Sequence, residues 1–143
     1  MNEMPLDRML AEYGPLLGDN DARFLARIFD RGIEPYTKRL RALGFTGAGR
    51  VLDAGCGFGQ WSLALAALNR EVEACDASSI RLVVLRELAS AAGLSAIGVR
   101  HARLECLPYA DASFDLAFCY GVIFCTPWRT SLAELARVLA PGG

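Results

Sequence analysis

VLDAGCGFG, residues 51–59, is the most informative run in the chain. Small and apolar residues surround an aspartate, and glycine then takes every second position, at Gly55, Gly57 and Gly59. Glycine loses more backbone entropy on folding than any other residue, so three this close together need a compensating reason. Arg50 to Asp53 or Ala54 reads as a short strand, and QWSLALAAL at 60–68 is apolar at helical spacing. A strand, a glycine turn and a helix in that order place ligands at the carboxyl edge of a parallel sheet. Lacking a Cβ, Gly55 and Gly57 let the main chain approach a ligand closely and adopt positive φ without steric cost. Backbone N–H groups at the start of the following helix then face the bound molecule.

Strands and helices alternate on the C-terminal side of that turn. EVEACD (71–76) reads as a strand, and SSIRLVVLRELASAAG (78–93) as a helix capped by Ser78 or Ser79 with Gly93 at its end. SAIGVRHA (95–102) fits a third strand. SFDLAFCY (113–120) fits a fourth, entered from the turn-forming PYADAS. SLAELARVL (131–139) is helical and stops at Pro141-Gly142-Gly143. Upstream, Pro5, Gly14, Pro15 and Gly18 interrupt any long helix, so residues 1–20 are expected to be a loosely ordered lead-in. From Asp21 a helix puts Phe24, Leu25, Ile28 and Phe29 on one face, with Asp19 to Asp21 supplying N-cap candidates. A second helix runs from about Glu34 to Leu43 and ends near Gly44. The alternation predicts an α/β fold: a Rossmann-like parallel sheet with right-handed crossovers and helices on both faces. Near-continuous apolar runs such as LAFC agree, because parallel strands are buried on both faces.

Composition narrows the function. The chain has 143 residues, is 53% hydrophobic and carries a formal net charge of -1, which fits one globular domain burying about two-thirds of its unfolded surface. Near-neutral charge argues against a dedicated nucleic-acid surface. The mild cluster Lys38, Arg39 and Arg41 reads as the solvated face of a helix. Five cysteines (Cys56, Cys75, Cys106, Cys119, Cys125) include no C-x-x-C pair, and His101 is the only histidine, so a metal site is a poor reading. Free cysteine behaves as a small buried hydrophobe, and a reducing cytoplasm is the simpler inference. Met1 to Leu10 lacks the pattern of a secretory signal, and no apolar stretch reaches the roughly 18–20 residues of a membrane span.

A dinucleotide site requires G-x-G-x-x-G, and that match fails because Gln60 stands where the third glycine belongs. The spacing D-x-G-x-G-x-G, here Asp53, Gly55, Gly57 and Gly59, instead resembles motif I of the class I S-adenosylmethionine-dependent methyltransferases. Asp76 closes the second strand, where that family has an acid that holds the ribose hydroxyls. ECLPYADASFDLAF (105–118) is similar to the family's segment leading into strand four, and RVLAPGG (137–143) to the run before strand five. The resemblance covers about residues 50–143 and implies S-adenosylmethionine as cofactor. It puts Gly55, Cys56, Gly57 and Gly59 beneath the methionine part, with Asp53 fixing the loop and the cofactor's ammonium, directly or through water. It puts Asp76, with Ala77 after it, at the ribose. Arg103, Leu104 and Glu105 are then expected near the adenine, and Cys119 and Tyr120 at the methionine end. One departure stands out: the family's adenine-binding aspartate aligns with Arg103, and arginine has no acceptor.

The family sheet has seven strands, whereas this chain reaches only the order 3-2-1-4. The resemblance therefore implies a piece of a longer protein, or a sheet completed by another subunit. The edge of strand four then invites pairing with another chain, including a second copy. Residues 1–46 are expected to form a helical lid and residues 47–143 the cofactor domain. The signature of amino-nitrogen methylation is absent after strand four, so a small-molecule acceptor is expected. No residue declares itself as a catalytic base, and a non-catalytic cofactor-binding or interaction module is the alternative.

Several of these residues also have plain structural readings. Asp76 suits a helix N-cap, Glu105 a solvated loop, and His101 an exposed or structural role. Trp61 suits the core as well as a cofactor cover. Cys119 and Cys125 suit buried filling, and Trp128 suits packing in a loop.

Overall fold

The computed structural model describes residues 5–94 and 96–143. Its four-stranded sheet is formed by β1 (Arg50–Ala54), β2 (Glu71–Asp76), β3 (Ile97–His101) and β4 (Leu116–Phe118). The strands are all parallel in the order β3-β2-β1-β4, with Val51 beside both Val72 and Leu116 and Val72 beside Ile97. Six α-helices accompany it: α1 (Leu6–Leu17), α2 (Asp19–Phe29), α3 (Glu34–Ala42), α4 (Gln60–Ala66), α5 (Ser79–Ala91) and α6 (Trp128–Val138). The Rossmann-like α/β architecture and strand order match the reading of the sequence.

Alternation along the strands sorts side chains between two unequal faces. Val51 and Val72 point to one face, where they meet Leu40 of α3 and Trp61, Ala64 and Leu65 of α4. Ala74 lies in the neighbouring cluster with Leu82, Leu85 and Leu88 of α5. Each fully buried leucine there contributes about 1.5–3 kcal/mol relative to leaving it in water. Leu52, Ala54 and Cys75 point to the other face, which is covered by Tyr109, Phe114 and Val138. Helix α6, the irregular run between β3 and β4, and Cys119, Val122 and Ile123 after β4 cover that side. Arg137 of α6 pins this run, donating to the carbonyls of Leu107 (3.0 Å) and Tyr109 (2.8 Å) and to Asp111 (2.8 Å). Glu134 completes the staple: it accepts from Arg137 at 2.7 Å and from the Leu107 N–H at 2.8 Å.

The expected lead-in is a helix from Leu6 onward, and residues 1–4 lie outside the described part. Met9 is fully buried, and Leu6, Leu10, Tyr13 and Leu17 pack on the same cluster. That spacing forms one continuous apolar stripe, which outweighs the breakers. Pro15 falls in the last turn and Gly18, at φ +75°, marks the stop. Helices α1 and α2 share their core with Phe58 and α5, and Arg81 of α5 holds Asp21 of α2 through two bonds of 3.0 and 2.8 Å.

Two other elements differ from expectation. β4 spans three residues instead of eight, because Ser113 and Phe114 bond to the Val138 carbonyl at 2.8 and 3.0 Å and Phe114 bridges Leu139. That bridge blunts the start of the β4 edge; beyond it, β4 has no outer strand partner among the described residues. Helix α6 begins at Trp128, three residues earlier than its expected start at Ser131, with Pro127 before it as N-cap. Trp128 is therefore helical. Ser95, the expected start of strand three, lies outside the described residues. Among the described residues no helix is long and apolar enough to cross a membrane.

Candidate functional site

The carboxyl ends of β1, β2 and β4 lie side by side, since Asp53 pairs with both Ala74 and Phe118 in register. The turn after β1 is tied to its neighbour: the N–H groups of Gly55 and Cys56 both donate to the Cys75 carbonyl, at 2.8 and 2.9 Å. Gly55, Gly57 and Gly59 all take positive φ, at +78°, +56° and +85°. A side chain is disfavoured at each.

The three glycines face different surroundings. A Cβ at Gly55 would run into the Val122 side chain, and one at Gly59 into Leu85. Only at Gly57 would a Cβ meet open space. Gly55 and Gly59 thus serve close packing within the chain, and Gly57 presents bare main chain outward.

Asp76 lies opposite. Its carboxylate is buried, with Oδ2 accepting from the Gly57 N–H and Oδ1 from the Ser78 N–H, each at 2.8 Å. The N-cap of α5 is Ser78, so Asp76 makes a local turn before the helix rather than capping it. A carboxylate offers about four acceptor positions, and two donors leave capacity unused. Ala77 is exposed, and its carbonyl faces His101 Nε2 at 2.9 Å, which gives the histidine a structural partner.

Asp53 is buried under the turn and accepts a bond from the Ser62 hydroxyl of α4. Burial pushes its carboxyl up to about 7, against the lowering effect of the Ser62 bond. Cys56 is buried beside it, and burial raises its thiol well above the ordinary value. Cys119, half-buried just beyond β4, is pushed up to about 11 by burial. Neither thiol has the lowered pKa of a nucleophile. Cys106 and Cys125 are exposed, which corrects the expectation of Cys125 as a buried filler.

The segment after β3 is joined to Asp76 by the Ala102 N–H, which donates to the Asp76 carbonyl at 3.1 Å. Leu104 is buried with Ala102 and Phe114. Arg103 is largely exposed and pairs with Glu105, and its carbonyl accepts from the Cys106 N–H at 3.1 Å to close a turn. The Glu105 carboxyl is held below its usual value, first by its own backbone N–H and then by Arg103. The arginine thus engages a neighbouring acid.

A second feature adjoins the turn and is not legible in the sequence. A cavity of about 450 Å³ opens between α2, α3, the start of α4 and the chain after β4. Trp61 lies in the core as well as on the cavity wall, with ring centroids 4.8 Å from Tyr36, 5.0 Å from Phe118 and 5.1 Å from Tyr120. Arg39, read from sequence as a solvated residue, sits with its guanidinium 5.6 Å from the Tyr120 ring centroid. The three-residue spacing of Tyr36 and Arg39 put them on one helical face, but nothing local named Tyr120 as their partner.

Known proteins are similar to this chain in sequence and fold. The family model described as a methyltransferase domain matches residues 51–143. A malonyl-[acyl-carrier protein] O-methyltransferase of Erwinia billingiae is 39% identical over 95 residues, covering 66% of this chain and 36% of that protein. A demethylmenaquinone methyltransferase of Bacillus cytotoxicus is 34% identical over 98 residues, covering 66% of this chain and 41% of that protein. The crystal structure of the Bacillus subtilis YcgJ protein superposes with a TM-score of 0.68 at 29% identity, covering 73% of this chain and 46% of that one. The chain spans less than half the length of each of these proteins. With its motifs, sheet order and family match in agreement, the chain belongs to the methyltransferase-domain family, in the class I S-adenosylmethionine-dependent group that its turn resembles.

Proposed function

We propose that this chain carries the S-adenosylmethionine site of a methyltransferase whose acceptor is a small molecule. The observation behind this reading is the pairing of Gly57 with Asp76: bare main chain facing open space, and a buried carboxylate bonded to it at 2.8 Å with acceptor capacity to spare. Ribose hydroxyls are donors that match this carboxylate, and bonds to a charged acceptor are stronger than neutral ones. When bound, the cofactor supplies a methyl group already activated on a sulfonium.

The residues of the chain then have mainly to position the two reactants. Asp76 and Gly57 would hold the sugar, and the turn of Arg103 to Cys106 would border the base. Val122 over Gly55 and the Asp53–Ser62 pair keep the turn rigid. The aromatic cavity begins at Gln60, next to Gly59, and is the natural place for an acceptor. Held in line with the methyl group, an acceptor gains most of its acceleration from orientation. The lining contains no Asp, Glu or His, so the acceptor is expected to bring a nucleophile that needs no strong base. The relative named for demethylmenaquinone supports a small-molecule acceptor, whereas the other is named for a malonyl group on an acyl-carrier protein.

Calorimetry with S-adenosylhomocysteine tests the site. The chain is expected to bind it, and Asp76→Asn to bind at least about tenfold more weakly while keeping its circular dichroism spectrum. A well-folded wild-type chain that binds neither this product nor S-adenosylmethionine overturns the reading. The exposed Arg103, paired with Glu105, favours one alternative, a binding module without turnover. Transfer of labelled methyl to any acceptor would exclude it.

A further inference from the structure

The aromatic cavity carries charge information that the family match does not. Phe24, Tyr36, Trp61 and Tyr120 supply flat apolar walls, and about 450 Å³ suits a compact ring compound. Two of those rings already have a cation against them: Arg39 lies 5.6 Å from the Tyr120 centroid and Arg27 lies 5.4 Å from that of Phe24. Neither guanidinium has a carboxylate within salt-bridge distance among the described residues. The adjoining cavity of about 320 Å³ adds Arg31 and a single acid, Asp30. An aromatic box with free faces attracts cations. Here guanidinium groups approach two of those rings, so an incoming ammonium meets like charge and an anion meets opposite charge.

We propose that this cavity binds a planar ring compound carrying an anionic group, with Arg39 pairing with the anion. The assignment of that compound as methyl acceptor rests on the function proposed above; its binding does not. Arg39 is then a specificity residue: exposed at the cavity, held against Tyr120, and able to form the two-pronged bond that carboxylates prefer.

The test uses three ring probes of similar size: 4-hydroxybenzoate, 4-hydroxybenzamide and the phenyltrimethylammonium cation. Each is titrated by NMR and calorimetry into the chain with and without S-adenosylhomocysteine. 4-Hydroxybenzoate is expected to bind at least about tenfold more tightly than the neutral amide, and the cation most weakly. Arg39→Gln should bring the acid and the amide to near parity, Arg39→Lys should restore part of the preference, and both should leave S-adenosylhomocysteine affinity unchanged. A cation that binds best, an acid preference that survives in the Arg27→Gln/Arg39→Gln double variant, or no 4-hydroxybenzoate binding at millimolar concentration would each overturn the proposal. Ring-acid binding without S-adenosylhomocysteine binding would remove the methyltransferase reading and leave the cavity assignment standing.

Discussion

The turn after β1 has two sides that use the same residue type for opposite purposes. On the inner side, Gly55 and Gly59 make room for Val122 and Leu85, and Asp53 reaches Ser62 in the dry space beneath. On the outer side, a Cβ at Gly57 would meet open space, and the Gly57 N–H donates to Asp76 across the edge of the sheet. The positive φ values are alike, so conformation alone does not separate the two roles. What separates them is the neighbour a side chain would meet. Inner-side changes should therefore be felt as stability, and outer-side changes as binding.

Gly59→Ala gives the largest expected effect. The new Cβ would press into Leu85, which is fully buried and cannot swing aside, at a φ of +85°. Overpacking costs about 1–3 kcal/mol and the left-handed conformation about 1–2 more, so a loss of about 2–5 kcal/mol is expected in urea unfolding. A loss no larger than the about 1–2 kcal/mol of left-handed strain alone would break the comparison, because Gly59 would then be an ordinary turn glycine.

Asp53 follows, and its effect depends on pH. A carboxyl at about 7 in the folded chain, against 3.8 for the free group, is held neutral by burial. Its stabilising contribution is complete below about pH 4 and disappears as pH rises through about 7, since ionisation is easier in the unfolded chain. An asparagine side chain in its place is a neutral isostere and lacks that dependence. The Asp53→Asn variant should match wild type near pH 4 and exceed it by about 2–4 kcal/mol at pH 8, read from urea unfolding across the range. If the difference between the two chains stays flat with pH, Asp53 is ionised when folded and the inner side is wetter than its burial indicates.

The sequence made the turn legible because its parts lie close together in the chain and their chemistry is carried by residue type. Glycine at alternate positions states the backbone requirement, and an acid at the end of the next strand is brought opposite by parallel pairing in register. The fold class followed from the same local signals, and the strand order from the family resemblance. The division of labour among the glycines was not legible, because Leu85 and Val122 meet the turn only through tertiary packing. Residues 6–17 defeat a local reading for a related reason: breakers are visible singly, whereas the stripe from Leu6 to Leu17 matters only once α2 and α5 lie against it. The cavity was the least legible feature, since its walls come from positions as distant as Phe24 and Tyr120. Arg39 is exposed as read, but its place against Tyr120 was not legible, because that partner is far away in sequence.

Gly57→Ala is expected to have the smallest effect on stability and gives the sharpest test of the comparison. A methyl group there meets no atom within 4 Å, so only the left-handed strain at φ +56° opposes it, about 1–2 kcal/mol. The same methyl group would stand in the space where a nucleoside must approach the main chain beside Asp76. S-adenosylhomocysteine affinity should therefore fall by at least about tenfold, more than a small loss of stability explains while the chain stays folded. Gly59→Ala should behave in the opposite way, losing stability first and binding only as the fold is lost. Calorimetry and unfolding on both variants at one pH set the two sides of the turn against each other. If Gly57→Ala binds as wild type does, the open space in front of the turn is not where the ligand lies, and the carboxylate of Asp76 is spent on the turn alone.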